Sequence, residues 1–200
     1  MINVAYINPQ SYSNLEEYDR GILSIAAEDK AVKVDYICNI KLKRDIPNVS
    51  SFKFYSHSNK ALFKGLSYVA STLRVYSRLV KKKYDVVHIQ WLKLPLLEAL
   101  FVWGLKKYFL PKSIFIYTAH NAFPHDSGRR YRDLYKNIYR VFDHIFVHDN
   151  GCLKTINDLG YGAIVNKIDV GQTPIGNDGE LDVHLSRYVS QFQRRFILVI

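Results

Sequence analysis

The stretch SIFIYTAHNAFPHDSGRRYR, residues 113–132, decides how the rest of this 200-residue chain is read. Its first part, Ile114 to Tyr117, is β-branched and aromatic, the composition of a buried strand. From Thr118 the chemistry changes, and His120, Asn121, His125, Asp126, Arg129 and Arg130 follow in quick succession. In an open α/β sheet, ligands bind in the crevice beyond the carboxyl ends of the strands. A strand ending in two histidines, an amide, an acid and two arginines has the make-up of the lip of a site. The alternative is a solvated loop that happens to be polar. A second segment of the same design, DVVHIQW at Asp85–Trp91, also passes from an apolar strand into a polar, aromatic tip.

Outward from these two strands the chain alternates strand and helix. Ile2–Ile7 reads as a strand, followed by the polar loop Asn8–Asn14. Asn14 with Glu17 fits a capping box for a helix carrying Leu15, Tyr18, Ile22 and Ile25 on one stripe. Val32–Ile40 is a second strand and Ser51–Tyr55 a short third. Residues 59–83 give the clearest helix: Leu62, Leu66, Val69, Leu73, Tyr76 and Val80 recur at steps of four and three and predict an inward face. Lys60, Lys64, Ser67, Ser71, Arg74, Arg78 and Lys81 keep the same rhythm on the other side. The segment holds seven basic residues and no acid, so its outer face is either an ordinary solvated one or one suited to an anionic membrane surface. Leu94–Phe109 predicts a helix with Pro95 in its first turn, most of its aromatics being expected in the core and one or two at a membrane interface. After the deciding stretch come a helix over Tyr131–Phe142, a strand His144–Val147 ended by His148, Asp149 and Asn150, a helix Cys152–Leu159 stopped by Gly160, and a strand within Ala163–Val170. This alternation predicts an α/β chain with a doubly wound, mainly parallel, Rossmann-like sheet. The terminal FILVI reads as an apolar strand whose open edge calls for a partner. The expected division is therefore one domain over residues 1–193, with 194–200 starting a second, truncated domain or pairing with another chain.

Composition narrows the function. With 48% hydrophobic and 23% charged residues the chain is globular. A net charge of +10 favours anionic partners, yet the basic residues form no recognisable reader motif, which ranks nucleic acid low. Cys38 and Cys152 are isolated and read as free thiols of a reducing compartment. The opening INVAYI shows no charged-then-apolar leader, and the longest near-apolar run, the twelve residues Leu94–Leu105, contains Glu98 and is too short to span a bilayer. The expected location is thus cytoplasmic. No glycine-rich dinucleotide fingerprint follows the first strand, and there is no P-loop, HExxH or GxSxG motif. His120 and His125, separated by Pro124, make a weak metal pair, and His88 inside its strand reads as a satisfied core histidine.

Several segments together resemble a known family. DVVHIQW is similar to its "DVVHIHW" strand, IYTAHNAFPHD (residues 116–126) to "TVHNxxPHE", and VFDHIFVHDN (residues 141–150) to "ADAIIVHS". TINDLGY and KIDVGQTPIG resemble the family's "LxxxGxxxxKIxVIPHG" stretch. The family is the GT4-type glycosyltransferases of the two-domain GT-B fold. The resemblance covers essentially the N-terminal, acceptor-side domain, one half of that architecture, with FILVI falling where the second, donor-binding domain begins.

The resemblance implies a retaining transferase of hexosyltransferase type. Such an enzyme moves a sugar from a nucleotide-sugar donor, here to an acceptor expected to be a lipid-linked saccharide in surface polysaccharide synthesis. It carries the family's cleft histidine onto His120, in contact with the donor sugar, the leaving phosphate serving as the base. By position Gln90, Trp91, Asn121, His125 and Asp126 would contact the acceptor, and Arg129 and Arg130 could clamp a phosphate or simply solvate a helix start. No cofactor and no metal is implied. The glycine-rich loop that often follows the first strand is replaced here by Asn8–Asn14, and the acidic donor motif of the second domain falls outside the 200 residues, so the chain alone is expected to be inactive. With the basic helix 59–83, the expected place is the cytoplasmic face of the membrane, as a peripheral protein. The alternatives are a non-catalytic, membrane-recruiting subunit of a split glycosyltransferase and a sugar-phosphate epimerase of the same architecture.

Overall fold

A computed structural model of the chain describes residues 1–11, 16–55, 61–123, 132–160 and 165–167. Among the described residues seven strands form one sheet: β1 (Ile2–Asn8), β2 (Val32–Cys38), β3 (Val49–Lys53), β4 (Val86–Ile89), β5 (Ile114–Ala119), β6 (His144–Val147) and β7 (Val165–Lys167). Their order is β3-β2-β1-β4-β5-β6-β7, and every pairing is parallel. The winding direction reverses between β1 and β4, which is where such sheets open a crevice at their carboxyl edge. The described helices between them are α1 (Glu16–Glu28), α2 (Ala61–Lys82), α3 (Pro95–Gly104), α4 (Arg132–Tyr139) and α5 (Asn150–Asp158), with a π-helical turn, Leu105–Phe109, extending α3.

Two cores follow from the two-residue period of the strands. Val4, Tyr6, Val34, Tyr36, Val86, Ile116 and Phe146 point to one face, where Ile22, Leu23 and Ile25 of α1 cover them. Each of those three side chains contributes about 1.5–3 kcal/mol by leaving water. Ala5, Ile7, Ile37, Val87, Phe115, Tyr117 and Ile145 point the other way, under α2, α3, α4 and α5. Covered on both faces, the strands need no polar alternation, which is why they read as apolar runs. Asp149 caps α5 by accepting from the Cys152 amide at 2.8 Å, and the chain leaves that helix through Gly160 at φ +88°.

Helix α2 departs from the expected face. Leu66 and Leu73, expected inside, lie in solvent, while Ser71, Thr72, Val75 and Leu79 are buried and Tyr68, Tyr76 and Val80 pack partly against the core. The helix is apolar enough to support either stripe; the small hydroxyl residues sit inward because they let the backbone approach the sheet. Nor is its basic side wholly solvated. Asp35 of β2, 2% exposed, accepts from Arg78 at 2.7 Å, Lys82 at 2.9 Å and the Tyr84 hydroxyl, and the Arg78 guanidinium lies 3.7 Å from the Phe52 ring centroid. The third strand starts at Val49, two residues earlier than expected, because Val49 registers with Val34. The π-turn replaces the end of the helix expected over Leu94–Phe109, and Trp103, Tyr108 and Phe109 are exposed and not in the core. The Asn14 cap, the boundary at residue 193 and FILVI lie outside the described residues.

Candidate functional site at the strand tips

Because β4, β5 and β6 are parallel neighbours, the residues that follow them stand side by side: Gln90 and Trp91, His120 and Asn121, and His148. The Trp91 ring lies flat on the His120 imidazole, centroids 4.1 Å apart and planes 3° from parallel. On its other side His120 meets His148, with His120 Nδ1 and His148 Nε2 3.1 Å apart. Tyr18 of α1 closes the group edge-on, 5.8 Å from the His120 ring and 5.6 Å from that of His148, its hydroxyl 3.4 Å from His148 Nε2. The imidazole of His120 is thus held in one plane by an aromatic stack and in one rotation by a hydrogen bond.

Electrostatics keep the pair uncharged. Burial, then the adjacent His148 and His88, push the His120 pKa down to about 3, and burial lowers that of His148 although Asp149 works against it. Two neutral imidazoles share one hydrogen between facing nitrogens, so His120 Nε2 takes the opposite role to its Nδ1, acceptor if Nδ1 donates and donor if it accepts. Nε2 is buried and has no hydrogen-bond partner among the described residues. A buried polar atom without a partner costs about 1–3 kcal/mol, a cost a ligand hydroxyl would remove.

Beneath this layer His88, 1% exposed, approaches Thr118 Oγ1 at 2.8 Å and Gln90 Nε2 at 2.9 Å, and Gln90 Nε2 also donates to Thr118 Oγ1 at 3.0 Å. Burial drives the His88 pKa down to about 3. His88 is the satisfied core histidine its position in the strand suggested. Gln90, expected on the acceptor side, is fully buried, its amide nitrogen tied to His88 and Thr118; its Oε1 is a second unpartnered buried atom at the same sheet edge. The side chain is turned down into the sheet and props the tip from below.

The first residues after β1, through Ser11, are pinned by side chains where a glycine-rich turn would rely on backbone. Asn8 Oδ1 accepts from the Gln10 amide at 2.9 Å, and Ser11 Oγ accepts from the Asn39 and Ile40 amides at 3.2 Å while donating to Asn39 Oδ1. Asp19 of α1, fully buried, accepts from Tyr6 at 2.9 Å, Asn8 at 2.7 Å and Tyr36 at 2.7 Å. Burial outweighs these three hydrogen bonds and raises its pKa to about 6. The network fixes α1 against the ends of β1 and β2, and so fixes Tyr18, the neighbour of Asp19.

Of the residues singled out in the sequence, the structure brings Trp91 and His120 into contact and leaves Asn121 exposed beside them; His125, Asp126, Arg129 and Arg130 lie outside the described residues. His148 and Tyr18 belong to the cluster and were not among them. His148 ends HIFV as His120 ends IFIYTA, so the same strand-tip logic applied to β6 finds it. Tyr18 sits in a helical stripe that looks like core, and no sequence signal separates it.

No family model matches the chain, and no curated protein does. Solved structures do. HepE of Anabaena, determined with UDP and glucose, has a TM-score of 0.53 at 13% identity, over 84% of this chain and 44% of its own. The UDP-GlcNAc 2-epimerase of Methanocaldococcus jannaschii has 0.54 at 12%, over 94% and 49%. A glycosyltransferase of Rickettsia africae has 0.52 at 14%, over 94% and 49%. The fold is that of one half of a GT-B-like protein. The chain spans about half the length of these structures, and at such identities the likeness speaks to fold alone.

Proposed function

We propose that this chain is the acceptor-side half of a retaining glycosyltransferase working at the cytoplasmic face of the membrane, moving a sugar from a nucleotide-sugar donor to a lipid-linked saccharide in surface polysaccharide synthesis. The observation that carries the reading is the unpartnered His120 Nε2, buried at a carboxyl-edge cleft of a GT-B-like half and held in place by Trp91 and His148. His120 hydrogen-bonds a hydroxyl of the transferred sugar, and being neutral it steadies the developing positive charge at the anomeric carbon without repelling it. The bond from that carbon to the leaving phosphate breaks, the acceptor oxygen takes its place on the same face, and the acceptor proton passes to the phosphate. Trp91 offers an aromatic wall to the acceptor sugar, with Asn121 as its hydrogen-bonding neighbour.

The test is transfer from labelled nucleotide sugars to membrane lipid by the product of the whole gene. His120→Ala should lower kcat by about a hundredfold or more, the scale of a positioned group at the reacting centre. His148→Ala, which removes the partner of His120 Nδ1 and leaves His120 Nε2 in place, should cost roughly tenfold, about one hydrogen bond. Full turnover by His120→Ala would overturn the proposal. The likeness to the Methanocaldococcus epimerase favours a second reading, epimerisation of a nucleotide sugar; conversion of UDP-GlcNAc with no acceptor present would select it.

A further inference from the structure

Helices α2 and α3 lie side by side over one face of the sheet: the Tyr76 and Phe101 rings are 4.8 Å apart, and the Tyr68 hydroxyl donates to Glu98. Their inward stripes are filled, α2 by Val75 and Leu79 and α3 by Ala99 and Val102 with Glu98. Their outward stripes are apolar as well. Leu66 and Leu73 on α2, Leu96, Leu100 and Trp103 on α3, and Tyr108 and Phe109 on the π-turn are between 48% (Trp103) and 62% (Leu66, Leu100) exposed. Leu96, Leu100 and Trp103 step by four and three, so these three apolar residues share one line along α3. Exposed apolar side chains gathered on two neighbouring helices and the turn that follows mark an interaction surface.

The charges around it are mainly positive, and Asp143 beside the π-turn is paired with Lys106 at 2.6 Å. Between Ala61 and Phe109 the only acids are Asp85 and Glu98; Glu98 is buried, and Asp85 stands at the start of β4 and accepts from the Asn3 amide. Lys81, Lys83, Lys107 and Lys112 are exposed, and Lys107 Nζ sits 4.8 Å from the Trp103 ring centroid and 5.1 Å from that of Tyr108. Aliphatic residues bordered by Trp, Tyr and Lys are the composition that settles at a bilayer's headgroup level. A second copy docked on the same face would set these lysines against their own counterparts, whereas anionic headgroups neutralise them. Among the described residues no helix is long and apolar enough to cross a membrane, which leaves lying on the surface as the way to bury the patch.

We infer that the outer face of α2, α3 and the π-turn is a docking surface for an anionic lipid bilayer, with Leu96, Leu100, Trp103 and Phe109 entering the headgroup layer. Because α3 starts directly after the β4 tip, docking there brings the Trp91–His120 lip beside the bilayer. That consequence rests on the transferase reading; the docking itself does not.

The experiment is flotation of the 200-residue chain with phosphatidylcholine vesicles, with and without phosphatidylglycerol. Binding should need phosphatidylglycerol, weaken with salt, and fall about tenfold or more in Leu100→Glu/Trp103→Glu, as burying a charge in the apolar layer demands. Lys33→Glu, at an exposed position near the start of β2, should bind like wild type. The milder Leu100→Ser/Trp103→Ser, with an unchanged circular dichroism spectrum, separates surface loss from misfolding. In Trp91→Phe, Trp103 is the remaining tryptophan and its emission should shift to the blue on adding anionic vesicles. Unaltered flotation of the Glu variant, a motionless Trp103 emission, or a concentration-dependent dimer abolished by the same variant in a chain that ignores vesicles would overturn the inference. Flotation needs no substrate, so failure of sugar transfer and failure of docking are read separately.

Discussion

Replacing Asp19 by Asn should make the protein's stability respond to pH in a way that can be worked from its surroundings. The carboxylate takes three hydrogen bonds in full burial, yet burial wins, and its pKa rises from 3.8 to about 6. A group with a folded pKa above its unfolded one stabilises the protein at low pH, and that contribution is lost as pH climbs through the folded value. The whole rise corresponds to about 3 kcal/mol, of which about 1.4 kcal/mol falls between pH 5 and pH 8. An asparagine with its oxygen toward Asn8 and Tyr36 and its amide toward Tyr6 keeps all three contacts, because the tyrosine hydroxyl can turn to accept. Urea unfolding of both proteins at pH 5 and pH 8 gives the difference directly. Asp19→Asn should gain on wild type by about 1.4 kcal/mol from the lower to the higher pH, with the histidines common to both cancelling. Asp19→Ala, leaving three buried donors unmatched, should lose about 3 kcal/mol or more at either pH. A wild-type to Asn difference that ignores pH would show that Asp19 is not forced toward its neutral form, and would undo this account.

Asp35→Ala should cost about 3–5 kcal/mol, since it strands Arg78 and Tyr84 without their shared acceptor; a loss below about 1 kcal/mol in urea unfolding would mean solvent already serves those donors. His88, with its pKa pressed to about 3 by burial, binds a proton readily only when unfolded. Its contribution is complete above about pH 6.5 and drains away in acid, by on the order of 2 kcal/mol at pH 5. His88→Gln should flatten the acid side of the stability profile between pH 7 and pH 5, and an unchanged slope would count against a neutral buried imidazole.

How far the sequence revealed this molecule depends on which forces act locally. Strands such as Ile114–Ala119 are buried on both faces, so their apolar runs identify them with little tertiary help. The alternation of strand and helix then gives the sheet class, and the polar tips of Asp85–Trp91 and Ser113–Asn121 give the cleft edge. The rotation of helix α2 is not legible from its hydrophobic residues because they occupy more than one stripe; which one turns inward is decided by the fit of Ser71 and Thr72 to the sheet and by Asp35 reaching for Arg78, neither visible along the chain. Chemistry sends most aromatics of Leu94–Phe109 to the core, and the period of α3 alone does not say which of them, Trp103, Tyr108 and Phe109, stay outside. Gln90 looked like a tip residue, but alternation along β4 sends its side chain down to His88. Tyr18 reaches the histidines from another element altogether, a meeting that only the packed sheet creates.

Asp35 and Tyr36 are consecutive in β2 and point to opposite faces, one toward α2 and the other, through Asp19, toward α1. Burial works against ionising Asp35, but hydrogen bonds from Tyr84, Lys82 and Arg78 prevail and hold its carboxyl below the usual range, whereas Asp19 is displaced upward. One strand therefore fastens two helices with clasps of opposite temper: acid loosens the grip on the lysine-bearing helix, and alkali strains the grip on the helix that carries Tyr18 to the histidines.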